Sequence, residues 1–180
     1  ARFERLNQAV TAYGGTFLYV GLPEQRVYFA DRYPADMDSH QAEMEMADQI
    51  FADELERRGV PFLNMRAVYE ELGHPEEFYS TVDHHYRYQG AYAAYRSILE
   101  RLGELGRTLP VLTEEDLDVQ TVPNPYLGSR NRKLYNLWPT AERAEIGVQK
   151  NPVPYERCVN GTRTDLQLFV LPVQEGRDDH

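Results

Sequence analysis

The residues with the clearest chemical potential lie in the segment Phe78-Tyr79-Ser80-Thr81-Val82-Asp83-His84-His85-Tyr86. An extended chain places the side chains of residues i and i+2 on the same side, so Asp83 and His85 can share one wall of a pocket. A carboxylate beside an imidazole fixes the ring's tautomer and stabilises the charge the ring acquires as a general base. The spacing therefore predicts an Asp83–His85 dyad.

Such a dyad needs a nucleophile, and the sequence offers no serine in a recognisable catalytic turn. The serines are Ser39, Ser80, Ser97 and Ser129, and none lies in a Gly-x-Ser-x-Gly elbow. Ser129 is the most attractive of them because it follows Gly128, but Gly-Ser is also ordinary turn chemistry. We interpret Ser129 as a turn residue.

Two other interpretations of the cluster stay open. Asp83, His84 and His85, with His74 or His40, form a candidate site for a divalent metal, although adjacent histidines in an extended segment face opposite ways. Alternatively the cluster is structural: Asp83 caps a turn, His84 packs and His85 is exposed.

Composition narrows the possible partners. The chain has 180 residues, 42% of them hydrophobic, and a formal net charge of −10. This charge argues against nucleic acid and against electrostatic docking on an anionic membrane. The lone Cys158 excludes an internal disulfide, and the sequence contains neither a transmembrane run nor a signal peptide. Both ends look cut, so we expect an incomplete domain.

The first 110 residues alternate between helical and strand patterns. We predict a helix ending at Gly14-Gly15, a buried strand over 16–22, a helix from an N-cap at Ser39 to Arg58, a strand over 60–63, a short helix over 65–72 and a helix over 89–105. Strand, helix and strand in this order form a βαβ crossover, which predicts an α/β fold with a parallel sheet. The Asp83 cluster then lies in the loop before the last helix.

Residues 111–180 have a different sequence pattern. Strand-like pieces at 117–122 and 166–171 are separated by turn-rich sequence, and helical periodicity is absent. We predict a strand-rich, irregular or antiparallel extension that packs on the same domain.

The segment from Phe78 to Tyr86, continuing through Gly90-Ala91-Tyr92 to Tyr95, resembles the hallmark of the bacterial DHHW family, which reads Tyr-Tyr-x-Thr-Asp-His-His-Trp. That family is similar to the SGNH-hydrolase-like proteins that O-acetylate alginate and other exopolysaccharides. Tyr86 replaces the family's Trp, and Val82 is an additional residue.

The resemblance implies a flavodoxin-like parallel sheet of SGNH type and a serine esterase or O-acetyltransferase acting on a carbohydrate outside the cytoplasm. It places the catalytic pair on Asp83 and His85 and the nucleophilic serine beyond His180, without a cofactor. We expect His84, Tyr86 and Tyr88 to contact the sugar, and other cell-envelope proteins to be possible partners. The first alternative is a catalytically silent carbohydrate-binding module, and the second, less favoured, is a metal-dependent hydrolase.

Overall fold

The computed structural model describes residues 2–151, 154 and 156–164. The helices and strands, in chain order, are α1 (Arg2–Ala12), β1 (Tyr19–Gly21), α2 (Gln41–Arg57), β2 (Phe62–Asn64), α3 (Met65–Leu72), α4 (Tyr88–Glu104), β3 (Leu117–Pro125), α5 (Gly128–Lys133), β4 (Arg143–Gln149), β5 (Arg157–Val159) and β6 (Thr162–Thr164). Among the described residues, no helix combines the length and the hydropathy needed to cross a bilayer.

The chain divides into two compact units. Of the described residues, the first contains those up to Tyr79 and His85–Val111. Of the described residues, the second contains Ser80–His84 and those from Leu112 onward. The segment with Asp83 and His84 therefore belongs to the second unit, although the chain on either side of it belongs to the first.

The first unit contains the predicted βαβ crossover. Strands β1 and β2 pair in parallel, with Val20 opposite Leu63, and α2 connects them. The predicted N-cap at Ser39 is wrong: the cap is His40, which has a left-handed backbone (φ 52°) and donates its N–H to Asp38 Oδ1 at 2.8 Å. The Asp38 side chain organises this turn, so the helix begins at Gln41.

The core of the first unit is aromatic. Its buried members are Phe29, Met65, Tyr69, Tyr79 and Ala94. The two buried tyrosines keep their hydroxyls hydrogen-bonded, as burial requires: Tyr69 donates to Gly90 O at 2.9 Å and Tyr79 to Pro23 O at 2.6 Å. These bonds attach α3 to the start of α4, and the loop before Tyr79 to the segment after β1.

The second unit is built from antiparallel pairs, as the sequence predicts for this half. Strand β3 pairs with β4 and β5 with β6. The unit also contains one short helix among its described residues, α5, between β3 and β4, which the sequence pattern did not predict. With six residues it is too short for a helical period to be visible in the sequence. The predicted strand at 166–171 lies outside the described residues.

Candidate functional site

The segment Ser80–His84 is a tight turn held by its own side chains. The buried Ser80 Oγ accepts the backbone N–H groups of Val82, at 3.2 Å, and Asp83, at 3.0 Å. Thr81 donates both its N–H and its hydroxyl to Glu142 Oε2, at 2.9 and 2.8 Å. The turn therefore has a defined position relative to the start of β4.

The carboxylate of Asp83 is buried and surrounded by donors. Oδ1 accepts the His84 N–H at 2.6 Å, and Oδ2 accepts the Ser129 N–H at 2.7 Å. The Tyr126 hydroxyl is a further donor; burial and then this hydrogen bond raise the pKa of Tyr126 to about 12. A buried carboxylate stays ionised only when such donors replace water, so this environment suits a fixed negative charge.

A glycine makes the approach of Ser129 to Asp83 possible. Gly128 has φ +66°, and a Cβ at this position would lie 2.3 Å from Val82 O. The same carbonyl accepts the N–H of Arg130 at 3.0 Å. Only glycine tolerates both the left-handed backbone and the contact, so Gly128 seats the first turn of α5 against the Val82-Asp83 peptide.

The imidazole of His84 lies between Asp83 and Ser129. Its Nδ1 is 3.0 Å from Asp83 Oδ1 and 2.9 Å from Ser129 Oγ, and the side chain is 62% exposed. The same ring nitrogen therefore faces both the Asp83 carboxylate and the Ser129 hydroxyl, and the tautomer of His84 decides which group donates in the contact with Ser129.

The family model for the SGNH hydrolase-like domain of the acetyltransferase AlgX matches residues 1–169. The chain belongs to this family. A search of proteins with curated functions finds no match. The AlgX family assignment confirms the SGNH-hydrolase-like acetyltransferase part of the sequence resemblance. The narrower DHHW assignment stays a prediction.

Solved structures similar to this AlgX-family chain have the same α/β fold. Bacillus cereus PatB1 with a sulfonyl adduct is 14% identical, with a TM-score of 0.62, over 82% of this chain and 48% of that chain. The O-acetyltransferase domain of Pseudomonas putida AlgJ is 15% identical, with a TM-score of 0.60, over 82% of this chain and 53% of that chain. The chain thus spans about half the length of either structure, and the SGNH-type α/β fold class is confirmed.

The other predicted site residues of this AlgX-family chain lie in the first unit. His85 is exposed. Tyr86 packs against the core, its ring centroid 4.9 Å from that of Tyr79, and Tyr88 stacks on Tyr92 at 5.9 Å with an interplanar angle of 9°. The pairing of Asp83 with His85 and the sugar contacts of His84, Tyr86 and Tyr88 stay predictions.

Sequence reasoning missed Tyr126, Glu142 and the backbone of Ser129 as partners of the Asp83 turn. Two of these contacts use a backbone group or a hydroxyl far along the chain, and no local pattern marks them. The available signal was Gly128, since a glycine before a serine marks a position where another backbone can approach closely.

The histidines proposed as additional metal ligands each have a local carboxylate partner. His40 Nδ1 lies 3.2 Å from Asp38, and His74 Nδ1 lies 3.7 Å from Glu76. His74, Glu76 and Glu77 bring ligand atoms within 4.8 Å of one another on an exposed loop of the first unit. Acidic groups of this kind are common without an ion, so the His74 cluster does not decide the metal alternative, and Asp83, His84 and His85 stay candidate ligands.

Proposed function

We propose that this chain is part of an O-acetyltransferase or acetyl esterase that acts on a carbohydrate of the cell envelope, outside the cytoplasm. The AlgX family membership supports acetyl transfer as the reaction class. One observation links this reaction to particular residues. The Asp83 carboxylate is buried, and the N–H groups of His84 and Ser129 hold its two oxygens. In the proposal, Asp83 orients His85 and a serine outside this chain is the nucleophile.

The chemistry is a double displacement. The serine hydroxyl attacks the carbonyl carbon of an acetyl ester while His85 takes its proton, and backbone amides hold the oxyanion. Collapse of the tetrahedral intermediate breaks the ester bond, and His85 returns the proton to the departing alcohol. A sugar hydroxyl or water then attacks the acetyl-serine by the reverse sequence, releasing the serine.

Asp83 suits the orienting role because its position is set from two sides. The His84 N–H holds one oxygen and the Ser129 N–H the other, so rotation of the carboxylate would break a charge-assisted bond. A fixed carboxylate stabilises an imidazolium better than one that must reorient during the reaction. In this scheme His84 and Ser129 support Asp83, and His84, Tyr86 and Tyr88 contact the sugar.

The test is covalent labelling with a fluorophosphonate probe, read by intact mass. We expect this chain to remain unlabelled, and a version extended beyond His180 to take one adduct. That adduct should be lost in His85→Ala, reduced in Asp83→Asn and retained in the matched surface variant His40→Ala. An adduct on the present chain that Ser129→Ala removes would overturn the assignment of the nucleophile.

The alternative is a silent carbohydrate-binding module. It takes support from the Ser129 backbone N–H, which holds the Asp83 carboxylate and so gives this serine a structural role. A module of this kind would leave the extended version unlabelled while it still binds acetylated glycan. Glycan affinity that is unchanged in His85→Ala would then identify it.

A further inference from the structure

A loop directly after α5 exposes large apolar side chains. The exposed fractions are 55% for Leu134, 87% for Tyr135, 81% for Leu137 and 64% for Trp138. Scattered single apolar residues on a surface are normal, but four within five consecutive positions form a local apolar surface. We call Leu134–Trp138 the apolar loop.

The loop holds this exposed arrangement through its own backbone. The buried Asn131 side chain donates to Trp138 O at 2.8 Å and accepts the Trp138 N–H at 3.1 Å. Tyr135 and Asn136 both have left-handed backbones, with φ of 55° and 57°. A bulky residue such as tyrosine adopts this region only where its surroundings impose it. The outward display of the apolar loop is therefore built into the turn.

The residues before the loop are cationic. Arg130, Arg132 and Lys133 are all exposed, and the sequence contains no Asp or Glu from Val119 to Ala141. The whole chain has a formal net charge of −10, so this is a local reversal of sign. The net charge that argued against an anionic membrane describes the average surface and not this part of it.

We propose that the apolar loop docks the protein on the surface of an anionic lipid bilayer. Trp and Tyr are the residues that favour the membrane interface, leucines partition into its apolar boundary, and neighbouring cations are attracted to anionic headgroups. A glycan would account for the two aromatic rings but not for Leu134 and Leu137, which can neither stack on sugar faces nor hydrogen-bond. This property goes beyond the proposed acetyl transfer and does not depend on it.

Trp138 is the only tryptophan in the chain, so the loop carries its own reporter. The experiment titrates the protein with vesicles of phosphatidylglycerol mixed with phosphatidylcholine, and with vesicles of phosphatidylcholine alone. We expect a blue shift of Trp138 emission and co-sedimentation with the anionic vesicles, both weakened by salt. Lipids brominated near the headgroup should quench the emission.

Matched variants separate the apolar and the cationic contributions. Leu137→Ser, and Arg130→Gln combined with Lys133→Gln, should each weaken binding by about tenfold or more. The controls are Leu72→Ser, an exposed leucine of the first unit, and Arg2→Gln combined with Arg5→Gln on α1. These controls should bind like the wild type.

Three results would overturn the proposal. The first is unchanged Trp138 emission in the presence of anionic vesicles. The second is binding that the loop variants and the control variants alter equally. The third is a blue shift produced without vesicles, either by a uronic-acid oligosaccharide or by raising the protein concentration, which would identify a glycan or a second copy as the occupant.

Discussion

The carboxylate of Asp83 accepts the backbone N–H of Ser129 at 2.7 Å, although the two residues are 46 positions apart in the chain. This bond fixes the Ser80–His84 turn to the first turn of α5. The bond uses the backbone N–H of Ser129, so this residue contributes to the position of the acidic side chain.

Replacing Asp83 with asparagine should destabilise the second unit. An amide keeps the shape but places an NH₂ group against one of the backbone N–H donors of His84 and Ser129. We expect a loss of about 2 kcal/mol in the free energy of unfolding, measured by urea denaturation. The exposed Asp118→Asn should change it by less than about 0.5 kcal/mol. Equal effects of the two variants would show that the Asp83 contacts are energetically unimportant.

Replacing Gly128 with alanine should lower the free energy of unfolding more than the same replacement at an ordinary left-handed glycine. The new Cβ would meet Val82 O at 2.3 Å, so the backbone must move as well as adopt an unfavourable φ. We expect a loss of about 3 kcal/mol or more. The matched control is Gly161→Ala, with φ +79° and no neighbour within 4 Å, which should cost only about 1 kcal/mol. Similar urea midpoints for the two variants would contradict the close approach.

Removing the Tyr126 hydroxyl should destabilise the protein, because the Asp83 carboxylate then loses one of its hydrogen-bond donors. Tyr126→Phe deletes a hydrogen bond to a buried carboxylate, so we expect a loss of about 1–2 kcal/mol in the free energy of unfolding. Combining it with Asp83→Asn should cost less than the sum of the two single changes, because both remove the same bond. Strict additivity in this double-mutant cycle is the contrary result. Tyr13→Phe, at a site that is 94% exposed, serves as the neutral control.

The first unit should lose stability at alkaline pH. Burial raises the pKa of Tyr69 and of Tyr79 above the ordinary tyrosine value of about 10. A raised folded-state pKa contributes stability that is complete below about pH 10 and is lost as the pH rises toward the folded-state value, because the unfolded chain ionises first.

Each of these two tyrosines can lower the free energy of unfolding by at most about 1.4 kcal/mol per pH unit in that range. Urea denaturation at about pH 8 and about pH 11 measures the difference. In Tyr79→Phe the drop between the two pH values should be smaller, although the variant is less stable throughout. A free energy of unfolding that is the same at both pH values would refute the expectation.

Asn131 should control the mobility of the apolar loop. Its side chain makes two hydrogen bonds to the Trp138 backbone from a buried position, and alanine makes neither. We expect Asn131→Ala to lose about 2 kcal/mol in the free energy of unfolding and to lower the fluorescence anisotropy of Trp138. The control is Asn136→Ala, which removes an exposed side chain of the same loop that makes neither of these two bonds. Unchanged anisotropy in Asn131→Ala would show that the loop is held in another way.

Local periodicity predicted the first unit well. The helix expected over 89–105 is α4, Tyr88–Glu104, and the two expected strands pair in parallel as β1 and β2. Strand ends shifted by a few residues because the tertiary pairing partner, and not the apolar run alone, sets the bounds. The start of α2 was misplaced because the Asp38 side chain, and not Ser39, organises the preceding turn.

The sequence by itself determined the α/β class and the strand-rich, irregular or antiparallel character of the second half, and it singled out Asp83 as a candidate carboxylate. These follow from residue periods and from residue chemistry, which are local properties. Only the tertiary structure decided which groups surround Asp83: the N–H of Ser129 and the hydroxyl of Tyr126. Only the tertiary structure shows that the side chains of the apolar loop are exposed to solvent. Burial depends on where distant segments of the chain meet, and a linear pattern does not contain that information.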